Sequence, residues 1–187
     1  VDCMIVVVSG PESVGKTSLC QQLAECYQGE WIPEFARTYL ETLPFHYRYE
    51  DVEHIAEVQY RTFQNYSNEN RSTYIFFDTY LIITKIWFLE VFGQMPQWLD
   101  MAIRKSRIDL VLLLVPDLPW ENDPLRENGS MEKRLYLFEK YQKELDFYSI
   151  PYYIVDGIDE VRLERSRIGI SKMLSKNTTI YDKREIV

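Results

Sequence analysis

Two glycines, a lysine and a threonine stand at a spacing suited to phosphate. Gly10-Pro11-Glu12-Ser13-Val14-Gly15-Lys16-Thr17 spells G-x-x-x-x-G-K-T, the Walker A pattern, and Ser18 follows. A loop of this kind turns several backbone N–H groups onto phosphate oxygens, and the helix beyond it adds the positive end of its dipole. Lys16 is expected to reach the β- and γ-phosphates of ATP, and the Thr17 hydroxyl to ligate Mg²⁺. A second group completes the metal site. Asp78 ends the apolar run Tyr74-Ile75-Phe76-Phe77, the place of a Walker B carboxylate, where it would hold Mg²⁺ with Thr17.

Phosphoryl transfer also needs an acceptor site and a cation for the transferring group. Glu34-x-x-Arg37 is the acceptor candidate. Its carboxylate suits sugar hydroxyls or the proton of the attacking one, and Arg37 suits the carboxylate or a phosphate. An ordinary i, i+3 ion pair on a helix would use the same two residues. Asp78 competes with Glu34 for the role of general base. The irregular stretch from Pro116 to Ser130 holds three prolines and carries Arg126, with Arg134 one to two turns into the following helix. A loop this long is more often functional than idle, and arginine suits charge spread over a transferring phosphoryl group. Gln59, on an otherwise apolar helix face, is a candidate reader of a base or carboxamide. Tyr39, Tyr80, Trp87 and Trp120 are aromatic candidates for stacking, each also at home in a core.

These residues need elements to hold them. Met4 to Val8 is a short β-branched strand. Leu19, Leu23, Ala24 and Tyr27 recur at helical spacing behind the loop. Glu30 to Ile32 makes a brief strand before Pro33, and a helix begins near Glu34 and stops by Pro44. Val52, Ile55, Ala56, Phe63 and Tyr66 mark one face of a long helix. Helices are expected over Thr79–Phe92 and from Pro96 to Lys105. Leu110 to Val115 is a fully buried strand. Met131 to Tyr148 is a helix with Met131, Leu135, Phe138, Leu145 and Tyr148 inward. A last strand and helix run from Pro151 to Leu174. Strands alternating with helices five times predict a parallel α/β sheet covered on both faces, with ligands beyond the strands' carboxyl ends. Gly10, Glu34, Asp78, the Pro116–Ser130 loop and Asp156 then share one edge.

Composition narrows the class. Apolar residues at 46% and charged residues at 27% fit a globular domain, and a net charge of −8 argues against a nucleic-acid binder. Cys3, Cys20 and Cys26 show no metal spacing and are expected as reduced, buried thiols. Neither a secretory leader nor a bilayer-spanning run is visible, which predicts a cytoplasmic protein without membrane contact. The guanine-reading N-K-x-D and the transporter L-S-G-G-Q are both absent. A small phosphotransferase remains.

The chain resembles the ribosylnicotinamide kinase domain of bifunctional NAD-biosynthesis proteins, within the AAA-like group of small P-loop kinases. G-P-E-S-V-G-K-T at 10–17, P-E-F-A-R at 33–37, F-F-D-T at 76–79 and W-E-N-D-P-L-R at 120–126 carry the likeness, which spans about residues 4–174. The resemblance implies a P-loop fold like that of nucleoside kinases, with a five-stranded parallel sheet in the order 2-3-1-4-5. It implies a kinase domain over 1–175 with a short lid at about 117–130, and a tail over 176–187. The implied reaction is ATP- and Mg²⁺-dependent phosphorylation of the 5′-hydroxyl of nicotinamide riboside. Lys16, Asp78, Glu34 and Arg126 would be catalytic. Glu34, Arg37, Gln59, Tyr80, Trp120 and Asp123 would face the substrate. The sequence departs from the family where a second aspartate follows the first by two residues, since Tyr80 stands there. The adenylyltransferase domain is not in this chain and would be fused or separate. A deoxynucleoside or nucleoside monophosphate kinase, with Arg48 or Arg61 helping Arg37, is the nearest alternative. A regulatory ATPase with no small acceptor is the alternative of another class.

Overall fold

The first strand, β1 (Met4–Ser9), is buried at every residue, as a run of hydrophobic β-branched side chains requires when both faces of a sheet are covered. A computed structural model describes residues 3–68, 72–125 and 127–175. Around β1 lie β2 (Glu30–Ile32), β3 (Tyr74–Asp78), β4 (Leu110–Leu114) and β5 (Tyr152–Val155). The five strands are parallel, as the alternation of strands and helices predicts, and run in the order β2-β3-β1-β4-β5 that the family resemblance implies.

Side-chain alternation along each strand divides the core in two. Ile5, Val7, Ile75, Phe77, Val111, Leu113 and Ile154 face one cluster. That cluster is completed by α3 (Tyr49–Asn68), α4 (Leu81–Phe92), α5 (Gln97–Lys105) and α6 (Met131–Phe147). Met4, Val6, Val8, Phe76, Leu112 and Val155 face the other, closed by α1 (Lys16–Cys26) and α7 (Asp159–Ser175). The short α2 (Phe35–Thr42) follows β2.

Three expectations are corrected. The helix after β3 starts at Leu81, not Thr79, because Thr79 takes a left-handed φ of 68° and Tyr80 is extended. On α6, Met131 and Leu135 are exposed, and the buried stripe is Arg134, Leu137, Phe138, Tyr141 and Leu145. Its first member is charged, so counting apolar residues alone rotates the helix. Of the three free thiols only Cys20 is buried, and Cys26 is exposed. Arg126 and the tail 176–187 lie outside the described residues. Among the described residues no helix is long and apolar enough to cross a membrane.

Candidate active site

The segments that leave the carboxyl ends of β1, β2 and β4 border a cavity of about 640 Å³, and the phosphate loop forms part of its wall. The loop's shape depends on its glycines. Gly10 has φ +149°, and a Cβ there would stand 2.9 Å from the Leu114 carbonyl oxygen of the neighbouring strand. Gly15 has φ +73° and caps α1 without a side chain, and no acidic residue sits in the first turn of α1. The positive end of the helix dipole is therefore left for an anion. The Lys16 ammonium donates to the Pro11 carbonyl at 2.7 Å, which folds it across its own loop.

Asp78 meets this loop from β3. The Thr17 hydroxyl donates to Asp78 Oδ2 at 2.6 Å, while Asp78 Oδ1 is buried without a hydrogen-bond partner. Burial raises the pKa of Asp78, against the Thr17 bond and the Lys16 charge, which lower it. A buried oxygen with no partner beside a hydroxyl suits a hard cation. Among the described residues there is no cluster of three His, Cys, Asp or Glu, so most ligands would be phosphate and water. Mg²⁺ binds in that way, and these residues fit it.

The turn after Asp78 brings a second carboxylate close. Thr79 is buried, its N–H donates to the Val8 carbonyl at 3.0 Å, and its hydroxyl donates to Glu34 Oε1 at 3.3 Å. Glu34 sits just before α2 and lines the cavity. Burial raises its pKa; the Lys16 charge opposes this and the Asp78 charge adds to it. A desolvated carboxylate with raised proton affinity, facing the cavity beside a cation site, has the properties of a general base.

The other walls come from α4, α6 and two loops. Ile83, Ile86 and Trp87 of α4 and Leu137 and Tyr141 of α6 line them. Tyr47, from the segment between α2 and α3, meets Trp87 edge-on with ring centroids 4.8 Å apart. Its hydroxyl donates to Glu127 at 2.9 Å. Among the described residues outside the phosphate loop and α7, the charged lining residues are Glu34, Glu90, Glu121 and Glu127 against Arg37 and Lys133. Both cations are paired: Arg37 with Asp123 at 2.7 Å, Lys133 with Glu90 at 2.7 Å. Burial pushes the Glu90 carboxyl up, but bonds from Lys133, Lys140 and Tyr136 outweigh it and hold the pKa at about 2.

The loop over 116–130 is tied to the phosphate loop. Ser13 Oγ accepts from the Glu121 N–H at 2.9 Å, and the Glu12 carboxylate accepts from the N–H groups of Glu127 at 3.3 Å and Asn128 at 2.7 Å. Two guanidiniums brace the loop from behind. Arg134 donates to the carbonyls of Glu12, Ser13 and Leu118, and Arg162 to those of Val14 and Gly157.

Of the sequence candidates, the structure brings Gly10, Glu12 to Ser18, Glu34 and Arg37 to the cavity. Asp78 stands behind Thr17, and Asp123 holds Arg37. Asp156 pairs with Arg165 instead of lining the cavity. Tyr80 does not line it. Its ring stacks on Phe63 at 4.4 Å and its hydroxyl bonds Ser106, because the left-handed turn at Thr79 sends it into the core. Gln59 accepts from Thr84 at 2.7 Å and lines, with Tyr80, a separate cavity of about 30 Å³. Trp120 bonds Asn122 and is also absent from the main cavity. Tyr47 and Arg162 escaped sequence reasoning, and Arg134 entered it only as a companion of Arg126 at the lid, not as a buried brace of the phosphate loop. Tyr47 lies outside any periodic element, and a charged residue in a helix reads as surface. The spacing of Arg134 to Leu137, Phe138 and Tyr141 was the available signal.

Residues 5–162 match the AAA domain family, and the chain belongs to it. The trifunctional NAD biosynthesis/regulator protein NadR of Salmonella typhimurium is 29% identical over 136 residues, covering 69% of this chain and 32% of that protein. The chain thus spans about a third of the length of the curated relatives it matches. The solved structure of NadR in complex with NR superposes with a TM-score of 0.80 at 22% identity, covering 97% of this chain and 54% of the other. Thymidylate kinase from Candida albicans gives 0.65 at 15% identity, covering 97% and 96%. The fold is that of P-loop kinases.

Proposed function

We propose that this chain is a cytoplasmic ATP-dependent kinase that phosphorylates the 5′-hydroxyl of nicotinamide riboside, giving nicotinamide mononucleotide. The observation that carries the reading is the wall beyond the phosphate loop. It is aromatic through Tyr47, Trp87 and Tyr141, and among the described residues it carries more carboxylates than cations, with Arg37 and Lys133 both paired. The pyridinium of nicotinamide riboside is a flat cation, and aromatic faces and carboxylates attract such a group. The names of the relatives, an NAD-biosynthesis protein and a complex with NR, point the same way.

In this reading the loop N–H groups and Lys16 hold the β- and γ-phosphates, which costs Lys16 its bond to Pro11. Thr17 and Asp78 would hold Mg²⁺, which when bound neutralises charge on the phosphate oxygens. Glu34 orients the 5′-hydroxyl and accepts its proton as the hydroxyl oxygen bonds the γ-phosphorus and the bond to the β-phosphate oxygen breaks. Asp78 is committed to Thr17, which leaves Glu34 as the base. Arg37 positions the acceptor side, fixed by Asp123, and Arg126 supplies the cation for the transferring group. The product is the substrate of an adenylyltransferase, fused or separate.

A nucleoside monophosphate acceptor would need unpaired arginines. Arg61 pairs with Glu57, Arg48 stacks on Phe45, and neither lines the cavity. The test is ADP release against nicotinamide riboside, deoxynucleosides and nucleoside monophosphates. Stimulation by the riboside alone is expected. Stimulation only by a monophosphate overturns the acceptor, and a flat panel overturns every kinase reading in favour of a regulatory ATPase.

A further inference from the structure

We infer that Arg134 and Arg162 are positioning residues of the phosphate loop: by taking its carbonyl oxygens from behind, they fix its N–H groups toward the triphosphate. The inference rests on reading the loop as an ATP site, and it does not depend on which acceptor is phosphorylated.

The geometry is that of consecutive peptide planes. A trans peptide is planar, so the carbonyl of one residue and the N–H of the next point in opposite directions. No described peptide bond is cis. Arg134 donates from Nε to the Glu12 carbonyl at 3.2 Å and from one terminal nitrogen to the Ser13 carbonyl at 3.0 Å. Arg162 donates to the Val14 carbonyl. Each of three successive carbonyls is thus held by a guanidinium, and the N–H groups of Ser13, Val14 and Gly15 point away from those contacts. Ser13 sits at φ 59° and Gly15 at φ 73°, both left-handed, so the loop holds a backbone shape that L residues rarely choose unaided.

Each arginine is itself fixed. Arg134 is 1% exposed, and it also donates to the Leu118 carbonyl at 3.0 Å, at the root of the 116–130 loop. Arg162 is 4% exposed and pairs with Asp117, whose other oxygen accepts from the Gly157 N–H at 2.6 Å. Arg162 also donates to the Gly157 carbonyl at 2.6 Å. The arginines come from α6 and α7, so two helices beyond the loop's own fix its peptide planes. Guanidinium suits the task because its donors form a rigid planar fork that spans two acceptors at once, which an ammonium on a flexible stem does not reproduce.

The experiment compares Arg134→Gln, Arg162→Gln, Arg134→Lys and Arg162→Lys with the unaltered chain. The readouts are dissociation constants for ATP and for adenosine, and KM for ATP against KM for the acceptor. We expect ATP to weaken by about tenfold or more in each Gln variant, the size of one lost charge-assisted hydrogen bond, with adenosine within about threefold. KM for ATP should rise while KM for the acceptor holds, Lys should restore little, and added guanidinium should restore part of ATP binding. A Gln variant that melts at lower temperature yet binds ATP as tightly as the parent, relative to adenosine, overturns the inference. Should a variant not fold, ¹⁵N-arginine spectra of the unaltered chain decide. Slowly exchanging guanidinium signals for both residues should persist when ATP is added. Loss of that protection means the arginines leave the carbonyls for the phosphates, which also overturns it.

Discussion

Glu34→Gln separates the chemistry of this site from its binding. The substitution keeps the shape of the side chain and leaves Oε1 to accept from the Thr79 hydroxyl. It removes the lone pair that takes the proton of the attacking hydroxyl. General-base catalysis contributes roughly 10²- to 10⁴-fold, so kcat should fall by that factor, about 3–5 kcal/mol of barrier. The amide still accepts from a sugar hydroxyl, so KM for the riboside should move less than about threefold. The pH dependence gives a second handle. Burial, with the Asp78 charge, raises the Glu34 pKa above its ordinary 4.5 despite Lys16. The acid limb of kcat/KM should therefore lie above 4.5 in the parent and vanish in the variant. Stability moves with the same proton. Between 4.5 and the raised value the folded protein binds more protons than the unfolded one, so unfolding free energy falls as pH rises through that window. Without ligand, Glu34→Gln should melt above the parent at neutral pH and with it below 4.5. The assay is steady-state ADP release and melting curves measured from about pH 4 to 9. A variant with kcat within threefold of the parent and the same acid limb refutes Glu34 as base.

Two further substitutions test the metal and the acceptor wall. Asp78→Asn should lower kcat at least about 10²-fold and shift the Mg²⁺ titration to higher concentration, leaving metal-free ATP binding intact; normal turnover with an unmoved Mg²⁺ midpoint refutes the metal assignment. Trp87→Leu should raise KM for nicotinamide riboside by roughly 2- to 30-fold, the range of a cation–π contact, and raise it much less for the uncharged dihydro form of the same riboside. Equal losses for the charged and uncharged forms refute the charge reading.

The sheet and the phosphate loop were legible because local rules and the global fold agree there. Met4 to Val8 is apolar throughout, and the loop's glycines stand where φ is positive. The strand order came from the family resemblance and not from these local rules. The acceptor side was less legible for three physical reasons. Thr79 adopts a backbone conformation that its β-branched side chain disfavours, and no propensity argument predicts that. The start of α4 and the direction of Tyr80 were misjudged with it. Arg134 is charged and buried, so hydropathy kept Phe138 and Leu145 of its stripe inside but left Arg134 out and placed Met131 and Leu135 there instead. Tyr47 meets Trp87 only through tertiary packing between segments 40 residues apart, beyond the reach of any periodicity.

The strained turn at Thr79 also bears on the one departure from the family pattern. Tyr80 occupies the position where a second aspartate was expected, which raises the question of whether a catalytic carboxylate is missing. A residue at 80 follows a left-handed one, and here its side chain is 3% exposed, stacked on Phe63 and bonded to Ser106 on α5's C-terminal side. The same turn presents the Thr79 hydroxyl to Glu34 while Asp78 faces Thr17. Two carboxylates with different tasks are thus already assembled about one turn. One accepts from a hydroxyl and in the proposed reading would hold the cation, the other is desolvated beside the cavity. Transfer of a phosphoryl group between two oxygens asks for one group to hold the cation and one to hold the proton. Tyr80 adds the packing that keeps the turn in its costly conformation, since an aromatic ring buried between α3 and α5 cannot leave without opening the core. The tyrosine is therefore compatible with kinase chemistry, and its contribution is to the rigidity of the carboxylates beside it.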